Sequence, residues 1–257
     1  GLYSNYYTLT SALTSFVNKF FTGISASVGN LAVSEDVEKQ EKTLFQILFM
    51  NFWMYTFSCC GLFALLNPFI GNIWLGGKYT FGMAVVFLLV FKDYLTGMRK
   101  TAQTFKNAKG LYWYNKYMPL YESLINLILS VIFVKFIGIA GVMIGTIISS
   151  LTTCVWIEPH VLYKYGFKKS AKEYVKKYIE YMIVFLIAVF LCLGACKGID
   201  IAFGGAGDLR SAKAIGVFAV QFIFTVIISN GFLWLIYRKS DNYKYLLNVV
   251  KKKVLKK

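Results

Sequence analysis

The sequence predicts an all-α polytopic membrane protein of about seven transmembrane helices, and three observations carry that reading. Hydrophobic residues fill 57% of the 257 positions and charged residues only 16%, against about 25% charged in an ordinary soluble domain. The apolar residues gather into seven runs, each near the roughly 20 residues that cross a bilayer. The basic residues between the runs alternate from dense to sparse along the chain, which is the pattern of the positive-inside rule.

The first run, residues 3–33, is the least hydrophobic. Ser4, Thr8, Ser11, Ser15, Asn18, Thr22, Ser25 and Gly29 recur at alternating spacings of four and three, so a helix presents them as one polar or small stripe. Leu9, Leu13, Phe16, Val17, Phe20, Phe21, Ile24 and Val28 fill its other faces, and Lys19 stands beside the stripe near mid-helix. Small hydroxyl residues also serve close packing between membrane helices. Eight stripe positions and a lysine exceed what packing needs, and the stripe points to a helix lining a hydrated cavity.

The second run, 44–66, stops at Asn67-Pro68, which with Gly76-Gly77 marks a turn. The third, 80–98, carries Lys92 and Asp93 inside it and Arg99 at its end. A charge at the bilayer centre costs roughly 2.5–3.5 kcal/mol, so it ordinarily faces a cavity or a partner. Lys92 is near enough to the end to snorkel; Asp93 has a shorter reach and is the stronger functional candidate. In the fourth run, 118–134, Glu122, Asn126 and Ser130 recur every four residues and share a face. That ridge either hydrogen-bonds a neighbouring helix or lines the same cavity. The fifth run, 138–162, holds Gly138, Gly141 and Gly145, whose spacing allows close helix packing, and closes with Glu158-Pro159-His160. The lone His160 reads as interfacial rather than catalytic. The sixth and seventh runs, 178–196 and 214–237, flank a loop marked by Gly204-Gly205 and Gly207.

Seven crossings put the termini on opposite sides, and the basic residues fix which is which. With the C-terminus cytoplasmic, 21 of the 28 lysines and arginines fall in cytoplasmic loops and the tail. Five fall in outer loops: Lys78, Lys135, Lys197, Arg210 and Lys213. Trp74, Trp113 and Trp234 lie near run ends, as an aromatic belt requires. From Tyr243 to Lys257 the tail alternates Leu and Val with Lys, which suits the anionic inner leaflet.

The net charge of +16 raises nucleic acid as a partner, but the basic residues sit in short loops between membrane runs, which excludes that reading. Cys59, Cys60, Cys154, Cys192 and Cys196 lie in or at the ends of apolar runs without metal-ligand spacing, and read as packing residues. No DxD, glycine-rich nucleotide loop, GxSxG or HExxH motif occurs, so no enzyme, no cofactor and no metal site is expected. The chain opens at Gly1 directly onto a helical run, without Met or a signal peptide, and is expected to be a fragment.

Several stretches carry a resemblance: Gly1-Leu2-Tyr3-Ser4-Asn5-Tyr6, Tyr94-Leu95-Thr96-Gly97-Met98-Arg99, residues 126–150 (NLILSVIFVKFIGIAGVMIGTIISS) and Trp156-Ile157-Glu158-Pro159. Together they resemble the Wzx/RfbX-type polysaccharide transporters, lipid-linked oligosaccharide flippases of the MOP exporter superfamily. The resemblance implies two six-helix lobes around a central cavity, with this chain supplying helices eight to fourteen. Residues 1–162 would then be five transmembrane helices of the C-terminal lobe. Residues 163–237 would be a cytoplasmic loop and two further helices, and 238–257 a basic cytoplasmic tail. The implied task is to move an undecaprenyl-diphosphate-linked oligosaccharide across the bacterial cytoplasmic membrane by alternating access. Its implied partners are that lipid-linked oligosaccharide, the phospholipid bilayer and the missing N-terminal lobe, with no nucleic acid. Lys19, Lys92 and Arg99 would be the cationic set, Asn126 a sugar-facing donor, and Asn18, Asp93 and Glu122 further substrate-facing groups. Lys92-Asp93 departs from the mainly uncharged residues expected before the Tyr-Leu-Thr-Gly-Met-Arg run. A MATE-like cation or drug antiporter is the alternative within transporters. A membrane polysaccharide polymerase or glycosyltransferase is the alternative of another class.

Overall fold

A computed structural model describes residues 1–205 and 207–254; the last three residues of the basic tail lie outside the described residues. The chain is all-helical, with no strand among the described residues. Each of the seven apolar runs falls on a helix.

The first helix, α1 (Leu2–Ser34), buries Tyr6, Thr10, Val17, Phe21 and Val28, a set at helical spacing that lies on one face. Asp36 then caps α2 (Val37–Pro68), its side chain accepting from the Lys39 amide at 2.8 Å, which satisfies one of the orphan donors of the first turn. Pro68 lacks an N–H, and the helix continues past it as a π turn over Phe69–Trp74. Next come α3 (Met83–Met98) and, after a break at Arg99, α4 (Lys100–Ala108).

Helices α5 (Met118–Ile137) and α6 (Ile139–Thr152) form a tight hairpin around Gly138, whose φ of +59° suits a residue without a Cβ. A short α7 (Cys154–Val161) follows, then α8 (Lys172–Ala202), α9 (Ala212–Tyr237) and α10 (Asp241–Val254).

Helix α2 is the hub. It packs on α1, α3, α4, α8, α9 and α10, and its aromatic face joins them: Phe52 stacks on Tyr181 at 4.3 Å, and Tyr94 of α3 stacks on Phe185 at 3.8 Å. Helix α6 docks the hairpin onto α3, while α5 touches little beyond α6 and α7. Of the α5 residues only Met118 is buried; Leu124, Leu127, Ile128, Val131 and Phe136 face outward. The five cysteines are buried and free.

Five helical runs are long and apolar enough to cross a membrane: Val37–Trp74, Trp113–Ile137, Ile139–Phe167, Lys172–Ala202 and Ala212–Tyr237. Two of the seven sequence runs fall short for different reasons. Helix α1 has the length, at 33 residues, but its stripe makes it too polar. Helix α3 has 16 residues, about 24 Å at the α-helical rise, against a hydrocarbon core of about 30 Å.

The chain's two ends in space are chemically distinct. At one, Tyr6 donates to Asn67 Oδ1 and accepts from the Phe81 amide at 2.9 Å, and Arg210 donates to the Trp74 carbonyl at 2.7 Å. These contacts gather the start of α1, the end of α2 and the α8–α9 loop. At the other, Lys169 pairs with Glu41 at 2.6 Å and Arg99 with Glu158 at 3.1 Å. This second end is lysine-rich.

Candidate functional site

Among the described residues, two ion-paired clusters lie within the bundle, one on α3 and one at its end. At its lysine-rich end the helix breaks at Arg99, which aims the guanidinium between α5, α6 and α7. Nε and Nη2 donate to the two carboxylate oxygens of Glu158 at 3.2 and 3.1 Å, and Nη1 donates to Glu122 Oε1 at 3.0 Å and to Ser150 Oγ at 3.2 Å. The Ser150 hydroxyl donates a hydrogen bond to Glu122 Oε1 at 3.3 Å, and Gln103 donates to Glu158 Oε1 at 2.8 Å. Glu158 is only 1% exposed. A buried carboxylate needs such partners, because burying an unpaired charge costs several kcal/mol, about 3–5 when one partner is removed. The fork geometry of arginine serves this bidentate contact.

The second cluster lies two turns earlier. Lys92 and Asp93 pair at 3.2 Å, with side chains 24% and 12% exposed. Asp93 lies beside Thr10 of α1, and its Oδ2 is buried without a hydrogen-bond partner among the described residues.

The stripe on α1 faces away from the bundle. Ser4, Thr8, Ser15, Asn18, Thr22 and Ser25 are exposed, with Ser11 and Gly29 half-buried. Several hydroxyls bond their own helix: Thr8 donates to the Ser4 carbonyl, Thr22 to that of Asn18 and Ser25 to that of Thr22, each at 2.9 Å. Lys19 is exposed and makes no ion pair among the described residues. Asn18 accepts from Lys100 on α4, whose ammonium pKa burial pushes below the usual lysine range.

The expected site residues therefore divide. Arg99 and Glu122 come together, Lys92 and Asp93 come together, and Asn18 and Lys19 belong to the outward stripe. Asn126 sits one turn after Glu122 on α5, but its Oδ1 accepts from Ser130 at 2.8 Å and Thr146 of α6 at 3.3 Å. The ridge on α5 thus bonds a neighbouring helix. Gly141 and Gly145 make that contact possible: a Cβ at Gly141 would lie 2.4 Å from the Phe133 backbone, and one at Gly145 2.7 Å from Ser130 Oγ. The partners that the sequence did not mark for Arg99 are Ser150 and Glu158, with Gln103 as a second donor to Glu158.

Four of the five guanidinium N–H groups of Arg99 are engaged, so its charge is spent within the bundle. Lys19, by contrast, is open to whatever covers α1. No protein-family model matches the chain, and no curated protein or solved structure matches it. The likeness to the polysaccharide flippases rests on the sequence stretches quoted above.

Proposed function

We propose that the chain is one lobe of a membrane transporter that carries a lipid-linked oligosaccharide across the cytoplasmic membrane by alternating access. The observation that supports this reading is the orientation of α1. Its buried residues face the bundle, where it meets α2, α3 and α4, while its polar stripe points outward with Tyr7 and Phe16 exposed beside it. Lipid is a poor neighbour for a face of serines, threonines and asparagine with a lysine at mid-helix, since each unmet polar group in hydrocarbon costs several kcal/mol. A water-filled cavity closed by a second lobe suits it.

In this reading the protein crosses the membrane seven times with its lysine-rich end in the cytoplasm, α1 and α3 being shielded from lipid rather than fully apolar. Lys19 would meet the diphosphate and the hydroxyl stripe the sugars. The Lys92–Asp93 pair favours this substrate over a cation, because the carboxylate is already matched by an ammonium. The test is Lys19→Glu in a strain that depends on the full-length protein for surface polysaccharide. Export should fall while the amount of protein in the membrane stays constant. Unchanged export would refute the role of the stripe.

A further inference from the structure

Beside the Arg99 cluster, at the lysine-rich end, the structure holds a second polar feature. A cavity of about 440 Å³ lies between α4, α7 and the connection leading into α5; Lys106, Asn107, Asn115 and Lys116 line it, and Arg99, Glu122 and Glu158 form its inner wall. Lys106 is 6% exposed yet its ammonium has no hydrogen bond and no ion pair among the described residues. The nearby acids are already committed: Glu158 and Glu122 are held by Arg99. A buried lysine without a partner is costly, and burial pushes its pKa below the usual lysine range. Its side chain lines the cavity rather than reaching bulk solvent.

The surroundings describe what would sit there. Tyr112 lines the cavity and is 58% exposed; the neighbouring Trp113 and Tyr117 are exposed too, and Lys116 holds its ammonium 3.3 Å from the centre of the Trp113 ring. Aromatic residues at such a place occupy the headgroup level of a bilayer. Immediately beyond the cavity, α5 begins, with Leu120 and Leu124 facing outward. A polar hollow thus opens beside a lipid-facing helix: its two carboxylates are held by Arg99, which leaves Lys106 and Lys116 as its free cations among the described residues, and its volume exceeds that of a bare phosphate.

We propose that this cavity binds the phosphate headgroup of an anionic phospholipid, with Lys106 and Lys116 as the cationic contacts, the amides of Asn107 and Asn115 as neutral donors, and the acyl chains running along α5. The proposal rests on the membrane placement of the lysine-rich end and not on the transported substrate.

The experiment is native mass spectrometry of the full chain in detergent, loaded with phosphatidylglycerol or phosphatidylcholine. The wild type should retain one phosphatidylglycerol per chain and no phosphatidylcholine. Lys106→Met, which keeps the apolar stem, should lower that retention about fivefold, the worth of one basic contact at a membrane surface. Lys106→Arg should restore it. If Lys106→Met does not give a monodisperse protein, the exposed pair Asn107→Leu and Lys116→Gln should show the same loss. Equal retention in wild type and variants, or equal retention of the two lipids, overturns the proposal. Stabilisation by inorganic phosphate that depends on Lys106, without selective lipid retention, assigns the site to a free anion and overturns the lipid reading.

Discussion

Arg99 and Lys19 carry the same charge and have opposite consequences when changed. Removing the Arg99 side chain leaves Glu158 buried beside Gln103 alone, so Arg99→Ala should cost about 3–5 kcal/mol, the penalty for orphaning a buried charge. A lower thermal midpoint in detergent, or loss of monodisperse protein, is the expected result; an unchanged midpoint would show that the carboxylate finds water instead. Loss of export in an Arg99 variant therefore reports folding, which makes Lys19→Glu the cleaner probe of transport. Lys106 adds a pH dependence of defined sign. Its folded pKa lies below its unfolded value, so the unfolded chain holds the proton more tightly and the contribution of Lys106 to stability rises with pH. Across the alkaline range below the ordinary lysine value of 10.5, the midpoint of the wild type should climb relative to that of Lys106→Met. A constant difference would mean that the ammonium is solvated. Arg99 stood out in the sequence as a charge ending an apolar run, but its partner Glu158 lies 59 positions away with no spacing to connect them. Pairings set by helix packing have no local signature.

At the scale of elements, the sequence marks where helices are and misses how they break. All seven apolar runs lie on helical residues, and five helices are long and apolar enough to cross a bilayer. The run at 138–162 is divided at Thr153, whose hydroxyl donates back to the Ser149 carbonyl at 2.5 Å, a competition with the helix that hydrophobicity does not encode. The residues after Arg99 fall between two predicted spans and read as a loop, yet 100–108 is helical, because α4 packs on α1, α2 and α7. Helix α8 extends to Lys172, six residues before the run that predicted it, since lysines on an exposed turn do not terminate a helix. The α5–α6 hairpin allows a quantitative check. Gly141→Val would drive a branched side chain into the Phe133 backbone, and overpacking of this kind costs about 1–3 kcal/mol or more. Because α5 has almost no other support, a protease or a cysteine-reactive probe should gain access at the hairpin before the rest of the bundle opens. Uniform loss of the whole fold would show that the hairpin is not a separate unit of stability.

At the scale of the whole molecule, the outward faces differ so sharply that they predict different solvents. Helices α5, α8 and α9 expose Leu127, Ile183, Phe190, Ile223 and Ile227, a surface that only lipid would cover at low cost. Helix α1 exposes serines, threonines and Asn18 along the same stretch of the bundle, with Tyr7 and Phe16 among them. One bilayer cannot solvate both faces equally well, so the stripe requires water or a polar partner. Single-cysteine labelling in membranes separates these cases. Ser15→Cys and Thr22→Cys should react with a membrane-impermeant maleimide, because a hydrated cavity brings the reagent to them and keeps the thiolate accessible. Leu127→Cys on α5 should not react, since neither the reagent nor the thiolate enters hydrocarbon. In the presence of the proposed lipid-linked oligosaccharide, labelling at Ser15→Cys should fall while a site in the lysine-rich loops, such as Lys168→Cys, stays constant. If Ser15→Cys is as inert as Leu127→Cys, the stripe packs against another helix as small residues do in membranes, and α1 is an interface rather than the wall of a transport path.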